Sequence, residues 1–129
     1  VYGVGREVKM IKDYKDLDVW KKSIDLVKQV YLVTKDFPKE EIYGLTNQIR
    51  RAAVSVASNI AEGKGRYSKK EYTQFLHIAL GSVAELETQI IIAKELSYIK
   101  NETIEKDLFE KMNHITRMLR SLIKKLRNN

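Results

Sequence analysis

Two histidines, His77 and His114, are the only imidazoles in the sequence, and cysteine is absent. Without Cys there is no thiolate nucleophile, no disulfide and no Cys-ligated zinc or iron–sulfur site. A carboxylate-bridged metal pair in a helical bundle needs a Glu three residues ahead of each of two histidines, plus two further Glu. Gln74 and Lys111 occupy those positions, so both motifs fail. No Gly-x-Ser-x-Gly, His-Glu-x-x-His or phosphate-cradling loop occurs. The nearest approach is Glu62-Gly63-Lys64-Gly65-Arg66, a basic turn that lacks the spacing and preceding strand of a P-loop. Glu85 and Glu87 are two apart on a helix and point different ways, so they do not make an acid–base pair. The residues predict no enzymatic activity, no catalytic residue, no bound metal and no cofactor.

The chemistry that remains is charge. Lys and Arg total 24 against 17 Asp and Glu, a formal charge of +7, and the balance raises the expectation of a polyanionic partner such as nucleic acid. Arg117, Arg120, Lys124 and Arg127 follow a 3-4-3 spacing and form one cationic helical stripe able to track phosphates. Lys64, Arg66, Lys69 and Lys70 make a second cluster around a turn. Attraction of Lys and Arg to helix C-termini is the competing explanation for both, and an acidic protein is the competing partner. No aromatic residue for stacking a base is evident beside either cluster.

Four helices must position these groups. The chain has 129 residues with 43% apolar, one Pro and six Gly, enough for one core and too few breakers for a many-stranded fold. Residues 1–15 read as an N-terminal extension or tag plus lead-in, and 16–127 as the folded unit. The first helix is expected from Asp16, its N-cap, to Asp36, with Leu17, Trp20, Ile24, Val27 and Tyr31 facing the core. Phe37-Pro38 ends it, and Pro38 opens a second helix that runs to Ala61 or Glu62 and is stopped by Gly63 and Gly65. Gly44 marks a kink or the true start of its regular part. Ser68 and Glu71 form a capping box for the third helix, expected to last to Tyr98, and Asn101 caps the fourth. Short links between long helices predict an all-α, antiparallel up-down-up-down four-helix bundle.

Some faces carry more than a lone bundle needs. The first helix has a second apolar stripe, Val19, Leu26, Val30 and Val33, expected to meet another subunit unless the intramolecular core is simply broad. The third carries Ile78 and Ile92 away from its core face, with Gly81 and Ser82 beside them. A helix-interior Gly costs about 1 kcal/mol, which close approach by another helix would offset. The second helix aligns Arg51, Ser55, Ser58 and Glu62 in a polar row of mediocre helix formers, either an ordinary exposed face or a hydrogen-bonding interface. No apolar run approaches the ~20 residues of a membrane span, so no membrane partner and a cytoplasmic address are expected.

The stretches Phe37 to Leu45, Gln48 to Val56, Asn59 to Gly63 and Leu80 to Glu87, with Leu17 and Trp20 ahead of them, resemble the four-helix bundle family encoded in 23S rRNA intervening sequences. The resemblance covers roughly Ile11 to Ile99, and the last helix matches only in character. It implies a ring-shaped homopentamer and kinship with accessory variability determinant proteins, which assist the reverse transcriptases of diversity-generating retroelements and bind nucleic acid through basic surfaces. Two functions are therefore carried forward: an RNA- or nucleic-acid-binding oligomer linked to rRNA or to a retroelement reverse transcriptase, and an oligomeric protein-binding scaffold.

Overall fold

The protein is described by a computed structural model over residues 13–128; of the extension and lead-in expected over residues 1–15, residues 1–12 lie outside the described residues. Four α-helices follow one another: α1 (Asp18–Thr34), α2 (Leu45–Lys64), α3 (Lys69–Glu95) and α4 (Glu102–Asn128), with 3-10 turns at Tyr14–Asp16 and Lys39–Glu41. Among the described residues there is no strand.

Local chemistry accounts for each boundary. Asp13, rather than Asp16, does the first capping: its side chain accepts from Lys15 N at 2.7 Å and closes the 3-10 turn. Helix α1 then starts after Leu17 without a side-chain cap. Pro38 opens only the second 3-10 turn. Regular helix begins after Gly44, where Glu41 Oε1 accepts from Leu45 N at 3.1 Å. Ser68 Oγ accepts from Glu71 N at 3.1 Å to start α3, and Asn101 Oδ1 accepts from Thr103 N and Ile104 N to start α4. Helix α3 ends at Glu95, earlier than expected, because Ser97 turns left-handed at φ 65°. Tyr98 N then bonds to Ala93 O and Ser97 N to Lys94 O, both at 2.9 Å, the Schellman arrangement that satisfies the last carbonyls.

Cross-helix partners show the running directions. Thr34 meets Arg50 between α1 and α2, Ser55 meets Ser82 between α2 and α3, and Lys94 meets Glu105 between α3 and α4. Helix α4 returns to α1 through Asp107 on Gln29 and Lys111 on Asp25. Rising numbers on one helix face falling numbers on the next, so neighbours are antiparallel. The most extensive pairing is α2 on α3, where Ser55 meets Ser82 and Gly63 sits against Phe75 and Tyr72.

Gly63 is thus no stop signal. Helix α2 continues through it to Lys64, and Gly65 N bonds back to Ala61 O and Glu62 O. A Cβ on Gly63 would lie 2.7 Å from Phe75 Cβ, closer than carbon atoms pack, and a tight 3.2 Å from the Tyr72 ring.

The register of α1 also corrects the sequence reading. Val19, Leu26 and Val30, expected to face another subunit, are core residues, and Leu26 and Val30 are 0% exposed. Val33 packs partly buried against the same core. Of the stripe expected inside, Leu17, Trp20 and Val27 pack partly buried against the core, Ile24 is half-buried, and only Tyr31 is exposed. Two polar residues disguise the core stripe. Ser23 and Thr34 are buried within it because each hydroxyl donates to its own helix, Ser23 to Trp20 O at 2.6 Å and Thr34 to Val30 O at 2.8 Å, which removes the cost of burial. Thr34 Oγ1 also accepts from Arg50 Nε at 2.8 Å, and the Arg50 guanidinium lies 4.5 Å over the Tyr31 ring.

At one end of the bundle Glu41 joins two links. Besides capping α2, its Oε2 accepts from the Tyr98 hydroxyl at 2.8 Å, and the Tyr98 ring lies 5.4 Å from Phe37. The Leu45 amide, with the Tyr98 hydroxyl second, holds the Glu41 carboxyl below its ordinary value. A depressed carboxyl stabilises the fold above its unfolded pKa of about 4.3, and that contribution is lost as pH falls through the folded value. Melting temperature followed downward from pH 5 should therefore decline less in Glu41→Gln than in wild type. Equal declines would show that the capping carboxylate does not contribute to acid sensitivity.

Candidate nucleic-acid interface

Helix α4 needs one apolar row, Leu108, Met112, Ile115, Leu119 and Ile123, to fill the core. Arg117, Arg120, Lys124 and Arg127 lie outside this row and are all exposed. None of these four has an acidic partner among the described residues. Arg120, Lys124 and Arg127 line a groove between α4 and α3, together with exposed His77. Arg117 lines the opposite groove, with Lys125, His114 and the start of α1.

The second cluster is built differently. Gly65 and Ser68 close the link between α2 and α3, so Lys64, Arg66, Lys69 and Lys70 come from two helix ends and a short turn. Arg66 donates to Glu62 at 2.8 Å, and its guanidinium lies 4.7 Å over the Phe75 ring. The Lys64 ammonium lies 5.6 Å over Tyr72. Lys69 and Lys70 are exposed. The sequence reading overlooks a residue between Arg66 and Lys69: Tyr67 is fully exposed in this turn, so an aromatic ring does stand beside the cations.

Antiparallel packing brings both clusters to one end. The link before α3 and the C-terminal half of α4 flank the first turns of α3, where His77 and Leu80 meet Arg120, Lys124 and Arg127. That end, residues 13–26, 55–81 and 115–128, carries twelve Lys or Arg against six Asp or Glu. The other end, residues 27–54 and 82–114, carries nine against ten. Almost all the excess positive charge of the described chain therefore sits at one end.

The remaining faces separate cleanly. Ser82, expected at an oligomer interface, is buried against α2 and shares a 2.8 Å hydrogen bond with Ser55, to which Asn59 Nδ2 also donates. Half of the expected polar row is thereby used within the chain: Ser55 binds α3 and Glu62 pairs with Arg66. Arg51 and Ser58 stay exposed. On α3, Gln74, Ile78, Gly81, Glu85, Thr88 and Ile92 recur at alternating spacings of four and three along the exposed side, continued by Leu96. Ile78, Ile92 and Leu96 are 50%, 44% and 51% exposed. Helix α3 is long and apolar enough on average to pass for a membrane span by composition, although its apolar residues form no long uninterrupted run. Its apolar content divides between the core and this outer seam. Among the described residues no group of three or more His, Asp or Glu is placed to hold a metal ion.

Residues 15–121 match the family described as 23S rRNA-intervening sequence protein. The chain belongs to this family. The match extends through most of α4, further than the motif series suggests, and takes in Arg117 and Arg120. Family membership agrees with the all-α bundle. The chain is also similar to the crystal structure of a protein with unknown function from the S23 ribosomal protein family of Bacteroides thetaiotaomicron. The two share 26% identity with a TM-score of 0.73, over 82% of this chain and 98% of that one. No curated protein matches the chain.

Proposed function

We propose that this member of the family is a non-enzymatic, self-associating bundle that binds RNA through phosphate contacts at its basic end. The observation that carries the reading is the gathering of the α4 stripe and the 64–70 turn at one end, with the four stripe cations left without acidic partners among the described residues. Phosphate contacts release condensed counterions, so affinity should fall steeply with salt and depend little on sequence.

Self-association is supported by the α3 seam. Ile78, Ile92 and Leu96 are exposed at a coiled-coil period, and a Cβ on Gly81 would meet nothing within 4 Å. Within one chain, therefore, no packing requires Gly81, whereas a second copy lying close along α3 would. Glu85 in the seam and Arg51 on the outer face of α2 have opposite charge and no ion-pair partner within the described chain. An interface between these two different faces is heterologous, the kind that closes into a ring such as the pentamer.

The family's description makes 23S ribosomal RNA the first RNA to test, with a reverse transcriptase as the protein partner to test beside it. Structured RNA titrated at ~50 and ~200 mM salt should bind wild type with a steep salt dependence. Arg120→Gln, Lys124→Gln and Arg127→Gln combined should weaken binding at low salt by roughly tenfold or more and flatten the slope by up to about three counterions. The oligomer mass should not change. Absence of wild-type binding at low salt would overturn the RNA reading and leave the protein-binding scaffold.

A further inference from the structure

We infer that the basic end selects unpaired nucleotides, by stacking one base on Tyr67 while the cations around it hold the adjoining phosphates. The inference rests on the RNA reading above and concerns which form of nucleic acid that surface takes.

Tyr67 has no structural occupation. Its ring is fully exposed and makes none of the ring contacts that hold Tyr14 on Trp20 or Phe37 on Tyr98. Tyr72, one turn into α3, is instead buried against α2. A bare tyrosine between Arg66 and Lys69 contributes nothing to the core.

The turn presents that ring from a fixed platform. Gly65 N bonds to Ala61 O at 3.3 Å and Glu62 O at 3.2 Å, and Arg66 N bonds to Gly63 O at 3.0 Å. Ser68 caps α3 immediately after it. Arg66 is clamped on both sides, by Glu62 and by the face of Phe75. The backbone of the turn therefore has little conformational freedom left to lose when a ligand lands, which favours binding.

An aromatic ring between cations is the pairing that single-strand binders use, because every base offers a π-face and every nucleotide a phosphate. In a duplex the base faces are already stacked on one another. A duplex can therefore reach the Arg117–Arg127 stripe and the lysines, but it offers Tyr67 a base only at its ends. The two contributions thus separate. Charge sets affinity for any nucleic acid, and Tyr67 adds affinity for unpaired nucleotides alone.

The test uses the full chain with two labelled RNAs of equal length, an unstructured oligouridylate and a blunt-ended duplex, at one salt concentration. Tyr67→Ala should lose on the order of tenfold in affinity for the single strand. Its duplex affinity should stay unchanged, and its helical circular dichroism should match wild type. Tyr67→Phe, which keeps the ring and removes the hydroxyl, should retain single-strand affinity. If Tyr67→Ala binds the single strand as wild type does, the stacking inference is wrong and the phosphate reading stands. Equal losses for both RNAs also overturn it, since the ring would then serve the turn rather than a base. If wild type binds neither RNA, the RNA reading itself fails, and the inference with it.

Discussion

Leu26→Glu should abolish the fold, whereas Ile78→Glu combined with Ile92→Glu should leave the fold intact and release the monomer. Leu26 is completely buried in the centre of α1. Removing a core leucine costs about 2–5 kcal/mol, and a carboxylate left in its place adds several more unless it is protonated. Domains of this kind are stable by only about 5–15 kcal/mol, so the helical circular dichroism of the variant should be mostly lost at 25 °C. The isoleucines present the opposite case. Each is about half exposed on α3, so a charge there loses little within one chain but is costly if another copy covers the seam. Light scattering should then report a multiple of 15.0 kDa for wild type and the single-chain mass for the double variant. A Leu26→Glu protein that melts like wild type would contradict the register of α1. A double variant that keeps the wild-type mass would remove the seam from the interface.

Gly63 and Gly81 should respond oppositely to the same substitution. Valine at Gly63 places carbon atoms within the 2.7 Å gap to Phe75 Cβ, and the helices cannot part there without disturbing the Ser55–Ser82 contact on the same pair of faces. Overpacking of this kind costs about 1–3 kcal/mol or more. A fall in melting temperature on the order of 10 °C is expected. Gly63→Ala should lie between, because the better helix propensity of Ala returns up to about 1 kcal/mol. Gly81→Val meets open space in the single chain and should preserve monomer stability while weakening assembly. Thermal melts and light scattering on wild type and these three variants separate the two effects. A Gly63→Val melting temperature equal to that of wild type would show that the α2–α3 approach is looser than described.

These contrasts explain which parts of the protein are legible in its sequence. Ser68 and Asn101 announce helix starts through side chains that bond amides two or three residues away, so local signals place α3 and α4. On α2 and α3 the core faces are written plainly in the sequence, because Ile49, Ala52, Ala53, Val56 and Ile60, and Leu76, Ala79, Val83, Leu86 and Ile90, recur at helical spacing and lie buried. The face of α1 is not. Trp20 and Tyr31 stand out as large apolar residues, while Ser23 and Thr34 break the true core stripe. Only the helix carbonyls they bond explain why they are inside. Gly63 misleads for another reason: a glycine near a helix end is a reasonable stop signal, and the demand that keeps it comes from Phe75 on the next helix. The cationic residues are identifiable individually by spacing. Their meeting at one end is a product of antiparallel topology, and Tyr67 has no periodic pattern to mark it.

The lopsided distribution of charge along the bundle changes what the formal +7 means to a partner. Helices α3 and α4 have 27 residues each, so the ends stand roughly 40 Å apart at ~1.5 Å per residue. The Debye length in physiological salt is only about 8 Å. Glu95, Glu102 and Asp107 lie roughly 20–27 Å along the bundle from Arg120 at ~1.5 Å per residue, about two to three screening lengths, so they barely repel a polyanion touching Arg120, Lys124 and Arg127. The two ends act as electrically separate surfaces, and a nucleic acid at the basic end meets the local charge of that end rather than the average over the chain.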